Sequence, residues 1–157
     1  LDIHLVVLGE GRAKKDALKK VKRYDLKNSI SFLGSFPLET MPYFFNQSDA
    51  LLISLKKSEI FSRTIPSKTQ PYMSSGKPIL TNADGEVSQI INEAKCGLTS
   101  DSGDYIALSK NMIKLSQLSK EELNEMAQNS KDYYKENFDR EDILMTLEKT
   151  FGKLLAK

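Results

Sequence analysis

The pattern with the clearest chemistry lies between Pro66 and Pro78, where a serine, a lysine and a glutamine open a short predicted helix. Ser67 and Gln70 have the spacing of a capping box, in which the serine hydroxyl accepts from the Gln70 amide and the glutamine side chain reaches back. Lys68 adds a positive charge to a helix start whose backbone N–H groups already favour an anion. The pattern predicts a phosphate-binding helix start; a solvated surface lysine is the alternative.

Two other predicted strand ends carry residues that suit a ligand. Gly9, Glu10 and Gly11 form a glycine loop between a strand and a helix, which lets a ligand approach the backbone closely. An ordinary tight turn explains that loop equally well, because the full dinucleotide fingerprint is absent. Leu33 and Gly34 end the next strand, where backbone groups can contact the edge of a flat base or simply terminate the strand.

Further charged residues are predicted at the edge that carries the capped helix. Arg63, together with Lys56 and Lys57, lies just upstream and would enlarge a positively charged mouth. Glu59 and Glu86 can accept hydrogen bonds from hydroxyl groups of a ligand. For each of these residues the alternative is an ordinary solvated charge.

Alternating apolar runs and helical patterns supply the scaffold that positions these residues. Strands are predicted at 3–8, 29–33, 50–54, 77–81 and 97–99, with helices at 13–24, 37–47 and 86–94 and the short capped helix within 66–78. Segment 55–66 is predicted to be a loop. Alternation of this kind predicts an α/β fold: a Rossmann-like, doubly wound parallel sheet with helices on both faces. Ligands of such sheets bind outside the carboxyl ends of the strands.

The last third of the chain is predicted to be wholly helical. An amphipathic helix is expected at 104–115, and residues 119–157 form a tail of C-terminal helices. Ser119 and Glu122 have the capping-box spacing, and Asp139 is placed to cap the final helix. The whole chain, residues 1–157, is therefore interpreted as one Rossmann-like domain with a helical tail.

Composition excludes several classes of function. The chain has 157 residues, 39% hydrophobic and 28% charged, with a net charge of +2 that does not favour nucleic acid. Cys96 is the only cysteine, which predicts a reducing compartment such as the cytoplasm. His4, the lone histidine, is interpreted as a packed strand residue rather than a base. Without metal-ligand spacing or a Cys–His pair, ligand binding is predicted in preference to chemistry by this chain alone.

Several short runs, taken in order, resemble the carboxyl-terminal domain of group-one glycosyltransferases, retaining enzymes of the GT-B fold that use nucleotide sugars. These runs are L-V-V-L-G-E-G at 5–11, I-S-F-L-G at 30–34, S-D-A-L-L-I-S at 48–54, Y-M-S-S-G-K-P-I at 72–79, G-E-V at 85–87 and C-G-L at 96–98. P-S-K-T-Q at 66–70 resembles the branch that builds bacterial capsular and O-antigen polysaccharides.

The resemblance implies a role for each candidate residue. The loop after Leu33 would hold the nucleobase, and the loop from Gly9 to Gly11 would line the cleft. The helix start at Ser67 would face the ribose and diphosphate, and Glu86 would lie near the donor sugar. It also implies a nucleoside-diphosphate sugar as substrate, with no metal or other cofactor.

The resemblance further implies the setting in which the protein works. The complete enzyme would transfer a hexose or N-acetylhexosamine to a lipid-linked acceptor, in the cytoplasm and at the inner face of the membrane. Its partners would be the donor and an acceptor domain of the same protein, and peripheral contact with the membrane is expected. The apolar face of the last helix, formed by Ile143, Leu147, Phe151 and Leu154, is expected to pack against that second domain.

Two departures from the family pattern limit these expectations. The family carries two glutamates with seven residues between them before its G-K-P, and Arg63 and Pro71 stand there in this chain. Gln70 or Glu59 is the suggested substitute. The family's domain also begins with another strand, followed by an arginine and a lysine. We therefore expect a truncated domain, inactive alone, whose sheet is gapped or rearranged.

Two rival functions remain open from the sequence. A nucleotide-sugar epimerase of the same fold would act on the sugar without an acceptor. A nucleotide-binding or interaction module without catalysis would explain the missing pair of glutamates.

Overall fold

The computed structural model describes residues 3–155. Contacts divide the chain into two compact units, Leu1–Phe44 and Phe45–Lys157, and each contains its own parallel sheet. The expectation of a gap is confirmed, because the strands among residues 3–155 form two hydrogen-bonded sheets rather than one. The α/β class and the helical carboxyl-terminal tail are confirmed as well.

The first unit is built on two parallel strands. β1 (Leu5–Leu8) pairs with β2 (Ile30–Gly34), and α1 (Lys14–Arg23) connects them. A 3₁₀ turn at Leu38–Thr40 then leads into α2 (Met41–Gln47). A crossover helix is what a parallel pair requires, since a tight turn cannot join strands that run the same way.

The second unit contains a three-stranded parallel sheet in sequence order. β3 (Leu51–Ser54) pairs with β4 (Ile79–Asn82), which pairs with β5 (Gly97–Ser100). All four residues of the central strand β4 are buried. Buried parallel strands are expected to be largely apolar runs, which holds for Leu51–Ile53 of β3 and for Ile79 and Leu80 of β4, whereas β4 ends on buried Thr81 and Asn82.

Within the described part of the second unit, six helices flank and follow the sheet. They are α3 (Glu59–Ser62), α4 (Thr69–Ser74), α5 (Glu86–Glu93), α6 (Tyr105–Ser116), α7 (Lys120–Phe138) and α8 (Arg140–Leu155). α5 buries Val87, Ile90 and Ile91, the i, i+3, i+4 spacing of an amphipathic helix. Each such aliphatic side chain contributes roughly 1.5–3 kcal/mol when it leaves water.

The core of the second unit joins these helices to the sheet. Ile53 of β3, Met73 of α4, Ile79 of β4, Val87 of α5 and Cys96 are all completely buried. Burial raises the pKa of the Cys96 thiol to about 11, with the Ser130 hydroxyl opposing the shift. The thiol is protonated at neutral pH and is a packing residue.

The helical tail begins with side-chain caps that the spacing predicted. The Ser119 hydroxyl accepts from the Glu122 amide at 3.2 Å, and the Glu122 carboxylate accepts from the Ser119 amide at 2.8 Å. Asp139 caps α8 by accepting from the amide of Glu141 at 2.9 Å. α7 packs against α4, whereas α8 buries none of its residues. Among residues 3–155, no helix is long and apolar enough to cross a membrane.

Candidate functional site

In the first unit, the glycine loop and the end of β2 come together as predicted. The Gly9 amide donates to the Gly34 carbonyl at 2.6 Å, and both glycines have positive φ angles, of 121° and 83°. Glu10 forms an ion pair with Lys14, and a Cβ on Gly34 would lie 3.3 Å from its carboxylate oxygen. These residues therefore bring backbone groups and a carboxylate to one edge of the β1–β2 sheet.

An open groove of about 360 Å³ lies at this edge of the first unit. It is lined by Val7, Leu8, Gly9, Glu10, Gly11, Ala13, Lys14, Ala17 and Phe32. Leu33 lies outside this lining, with its side chain 48% exposed. The groove is mainly apolar, with one ion pair at its rim, which is suited to a flat or apolar part of a ligand.

In the second unit, the segment after β3 is mostly a loop, as predicted for 55–66, but it contains one helical turn, α3, at Glu59–Ser62. The Ser62 amide donates to the Ser58 carbonyl at 3.0 Å, which closes the single turn of α3. Arg63 donates to Glu59 at 2.7 Å, an i, i+4 ion pair between side chains that are 77% and 79% exposed. The i, i+4 spacing of Glu59 and Arg63, with Ser58 before it, is the sequence signal for this helical turn. Apolar periodicity does not indicate the turn, because it has no buried apolar face.

The ion pair changes what Glu59 and Arg63 offer to a ligand. Each is already engaged with the other, so the mouth is less positive than Arg63 alone implied. Because both side chains are largely exposed, the pair is weak, worth about 0–1 kcal/mol. Either side chain can exchange its partner for a ligand group at little cost.

The helix start at Ser67 differs from its prediction. α4 begins at Thr69, its capping residue Lys68 has helical φ and ψ angles of −73° and −16°, and no side chain caps it. The Thr69 amide donates to the Pro66 carbonyl at 2.8 Å, so a tight turn replaces the capping box. The capping-box prediction for Ser67 and Gln70 is therefore wrong.

The two residues of the failed capping box, and Lys68 between them, remain exposed. Within residues 3–155, neither Ser67 nor Gln70 makes a side-chain hydrogen bond, and Lys68 forms no ion pair. Their polar groups are directed to solvent rather than used by the helix. Gly76, at φ 64°, takes the predicted left-handed turn after the helix.

Thr69 is a polar residue that the spacing did not indicate. Its side chain is completely buried, and its hydroxyl has no hydrogen-bond partner in the part of the chain described. A buried hydroxyl without a partner costs about 1–3 kcal/mol. No local sequence signal identifies it, because threonine is common at exposed helix starts.

α5 also begins without a side-chain cap, next to α3. Gly85 precedes it with φ 76° and ψ −141°, a region that residues with a Cβ rarely adopt. A Cβ on Gly85 would overlap the Ser62 carbonyl oxygen, so α3 and the start of α5 are in direct backbone contact. Glu86, the first residue of α5, is exposed. The structure thus brings Glu86 close to the end of the Glu59–Arg63 turn.

The loop after β5 is held to the same edge by Asn82 and Ser102. The Asn82 side chain donates to the Asp101 carbonyl at 2.6 Å and to the Ser100 hydroxyl at 3.1 Å. The Ser102 hydroxyl donates to the Leu55 carbonyl at 2.6 Å, and its amide donates to Asp84 at 2.9 Å. These contacts fix the carboxyl ends of all three strands relative to one another.

Other candidate groups have structural partners. His4 lies before β1 and is exposed, so its assignment as a packed strand residue is wrong; its ring bonds the Asn28 carbonyl at 3.0 Å and the Ser31 hydroxyl at 2.8 Å. Between residues 3 and 155, no group of three His, Cys, Asp or Glu side chains could hold a metal ion.

The chain matches the family of glycosyl transferases group 1 over residues 1–133 and belongs to that family. No curated protein sequence matches it. The glycosyltransferase assignment therefore rests on the family match, which covers the sheets of both units and most of α7.

Solved structures show the same fold. HepE from Anabaena, in complex with UDP-glucose, has 18% identity and a TM-score of 0.78, covering 96% of this chain and 41% of its own. Sucrose-phosphate synthase from Thermosynechococcus elongatus has 16% identity and a TM-score of 0.80, covering 99% and 39%. The carboxyl-terminal domain of LpcC from Francisella tularensis has 21% identity and a TM-score of 0.67, covering 87% and 70%. The chain thus spans about two fifths of the first two proteins.

Proposed function

We propose that this chain is the donor-binding part of a glycosyltransferase that transfers a sugar from a nucleoside diphosphate to a polysaccharide acceptor. Family membership supports the transferase class, and the Anabaena structure contains UDP-glucose. The observation that carries the proposal is the start of α4, where exposed Lys68 stands beside uncapped polar residues at the carboxyl edge of the sheet.

The diphosphate is the part of the donor that Lys68 suits. A lysine at a helix start is slightly unfavourable, because its charge has the same sign as that end of the helix dipole. A bound diphosphate reverses this effect and gains a charge-assisted hydrogen bond. In the transfer step, the same charge stabilises the negative charge that develops on the departing diphosphate.

Other exposed groups in the second unit are assigned to the hydroxyls of the donor. Ser67 and Gln70 make no side-chain hydrogen bond among residues 3–155, so both can bond a ribose. Glu86 lies at the start of α5, and we assign it to the donor sugar. Glu59 and Arg63 contribute by exchanging their ion pair for ligand contacts.

The first unit is assigned separately. Its groove, bounded by Gly9, Glu10 and Gly11, has a mainly apolar lining and backbone groups at one end. We assign the loop after Leu33 and Gly34 to recognition of a nucleobase. Gly34→Ala tests this assignment without altering Lys68. Gly34 has a positive φ angle, and the added Cβ would lie against the Glu10 carboxylate.

The wider setting follows from the family and remains part of the proposal. The acceptor is proposed to be lipid-linked, the transferred sugar a hexose or N-acetylhexosamine, and the location the cytoplasmic face of a membrane. No metal or other cofactor is assigned. A second domain is proposed to supply the acceptor site, so this chain alone is expected to bind the donor without transferring sugar.

A non-catalytic nucleotide-binding module is the second candidate. It is favoured by Pro71, exposed in α4, and by Arg63, paired with Glu59, at the positions of the family's two glutamates. Both candidates bind the same kind of nucleotide ligand, but only the first transfers a sugar.

Calorimetric titration tests nucleotide binding, which both candidate functions require. Product analysis then separates the transferase from the non-catalytic module. UDP, GDP and ADP are titrated against the 157-residue chain, with the matching nucleosides as controls. We expect one diphosphate to bind at least about tenfold more tightly than its nucleoside, the effect of about 1.4 kcal/mol. Equal affinities would contradict the proposed diphosphate site.

Product analysis uses the longer protein with the preferred nucleotide sugar. A glycosylated acceptor supports the transferase, an epimerised sugar without an acceptor supports an epimerase, and donor binding without turnover supports the non-catalytic module.

A further inference from the structure

Positive charge is concentrated in the first unit, in the segment 12–27 that contains α1. This segment has eight basic and two acidic side chains and so carries a net charge of +6. Because the whole chain carries +2, the other residues together carry −4. The near-neutral total is therefore the sum of one strongly basic segment and an acidic remainder, and such an asymmetry is typical of a surface that binds a polyanion.

Four cations share one side of α1 and are here called the basic stripe: Lys15, Lys19, Lys22 and Arg23. Their i, i+4, i+7 and i+8 spacing places them along one helical face, over a length of about 12 Å. All four are exposed, whereas the other side of the helix carries buried Val21 and half-buried Ala17. None of the four lines the groove of the first unit, so the stripe is separate from the donor-binding assignment.

The charges of the basic stripe are available to a ligand. Lys15 and Lys22 form no ion pair with any residue between 3 and 155. Lys19 donates to Asp16 at 3.2 Å, but both side chains are at least three-quarters exposed, so this pair is weak and can exchange. Like charges at i, i+4 destabilise a helix, so helix stability does not explain the stripe, and an anionic ligand would reverse the effect.

The side chains around the basic stripe decide which polyanion it suits. α1 contains no aromatic residue, and the Arg23 guanidinium covers one face of the Tyr24 ring at 5.7 Å from its centroid. Single-stranded nucleic acids are held by successive aromatic side chains, which this surface lacks. Leu18, at 45%, is the most exposed apolar side chain of α1, whereas a helix that lies in a bilayer needs a whole apolar face.

A polymer that carries anions and hydroxyl groups, but neither bases nor acyl chains, matches these side chains. An acidic polysaccharide has this chemistry. Its carboxylates or phosphates can accept charge-assisted hydrogen bonds from lysine and arginine. Its hydroxyl groups can bond the phenol of Tyr24, which is 62% exposed at the end of the stripe.

We propose that the basic stripe binds an acidic polysaccharide along the outer side of α1. The cations at successive turns of the helix contact the anionic groups of successive sugar units. Binding to the stripe does not depend on the donor site. A further consequence rests on the proposed function: the polysaccharide acceptor is itself anionic, and its assembled part lies on α1.

Calorimetric titration of the 157-residue chain with an oligogalacturonate of defined length tests this proposal. This oligosaccharide carries a carboxylate on each sugar unit. Its methyl ester has the same length and the same rings without the charge, and is the matched neutral probe. We expect the acid to bind and the ester not to bind, with an affinity that added salt lowers because the contacts are electrostatic.

Charge variants locate the contact. Lys15→Gln/Lys22→Gln removes two cations of the stripe that form no ion pair among the described residues, and should raise the Kd for oligogalacturonate about tenfold. The matched control Lys110→Gln/Lys114→Gln removes two exposed lysines of α6, which also lack an ion pair within residues 3–155, and should change the Kd by less than about twofold.

Two further measurements accompany these variants. Urea unfolding confirms that each variant is folded. The UDP affinity of both variants should equal that of the parent chain, so that a failure of the donor site and a failure of this proposal can be told apart.

The proposal is overturned by the absence of binding, by equal affinities for the acid and its ester, or by equal losses in the α1 and α6 variants. Competition with other polyanions is the remaining check. We expect oligothymidylate and polyglutamate to displace oligogalacturonate only at higher concentrations of charged groups. Displacement at equal or lower concentrations would assign the basic stripe to a nucleic acid or to an acidic protein segment instead.

Discussion

The same short pattern occurs twice in this chain with different outcomes. Ser67 and Lys68 precede α4, and Ser119 precedes α7, whose first residue is Lys120. At α7 the serine backbone is extended, with φ −67° and ψ 161°, and the capping box forms completely. At α4 the residue before the helix is helical instead, and the serine caps nothing.

This difference shows which helix starts have backbone amides without a side-chain cap. At the starts of α6, α7 and α8, backbone amides of the first turn donate hydrogen bonds to the side chains of Asp104, Ser119 and Asp139. The starts of α4 and α5, at the carboxyl edge of the sheet, have no side-chain cap. Side chains therefore cap the starts of α6, α7 and α8, whereas no side chain caps the starts of α4 and α5.

The largest effect is expected at Gly85, which begins α5. Gly85→Ala combines a disallowed backbone conformation with overlap against the Ser62 carbonyl, and should lower the free energy of unfolding by at least about 3 kcal/mol. Urea unfolding measures the change.

Gly103 supplies the control for Gly85. It also has a positive φ, of 84°, but no atom lies within 4 Å of a Cβ placed on it. Gly103→Ala should therefore cost only about 1 kcal/mol. Equal losses in the two variants would show that α3 does not press on the start of α5.

The paired serines give the next largest effect. Ser119→Ala removes a cap that is present and should destabilise the protein by about 1 kcal/mol. Ser67→Ala removes a hydroxyl that caps nothing and should change stability by less than about 0.3 kcal/mol. Thermal or urea unfolding of both variants compares them directly, and a larger loss at Ser67 would reverse the assignment of the two starts.

Thr69 gives the smallest effect, of opposite sign. Thr69→Val replaces a buried hydroxyl that has no partner among the described residues by a methyl group of similar volume. The free energy of unfolding should rise by about 0.5–1 kcal/mol, because the desolvation cost is removed. Thr69→Ser, which keeps the hydroxyl and loses a methyl group, should instead be destabilising. A stability loss in Thr69→Val would mean that the hydroxyl is bonded in solution.

Much of the fold could be predicted because its signals are local. β3 and β4 are short apolar runs beside turn residues, and α7 begins with a capping box that forms. α3 could not be predicted from apolar periodicity, since Ile60 and Phe61 are exposed. The start of α4 was predicted wrongly because the competing acceptor, the Pro66 carbonyl, belongs to the backbone and leaves no side-chain signature.

The positions of the candidate residues in the fold were predictable from the sequence, but their contacts were not. Lys68 and Glu86 are exposed at the expected edge, and Gly9 and Gly34 meet as the strand order requires. The pairing of Glu59 with Arg63 depends on the helical turn α3, in a segment for which the sequence predicts a loop. Contacts set by tertiary packing, such as the burial of Thr69, have no equivalent in local spacing.

Nucleotide titration of two lysine variants tests the central claim most directly. Lys68→Ala and Lys120→Ala each remove an exposed lysine that follows a serine at a helix start, so they are matched in sequence and in exposure. The difference between the open and the capped start predicts that Lys68→Ala raises the Kd for UDP about tenfold, while Lys120→Ala leaves it within about twofold. Equal Kd values for both variants and the parent chain would contradict the claim that the start of α4 binds the donor diphosphate.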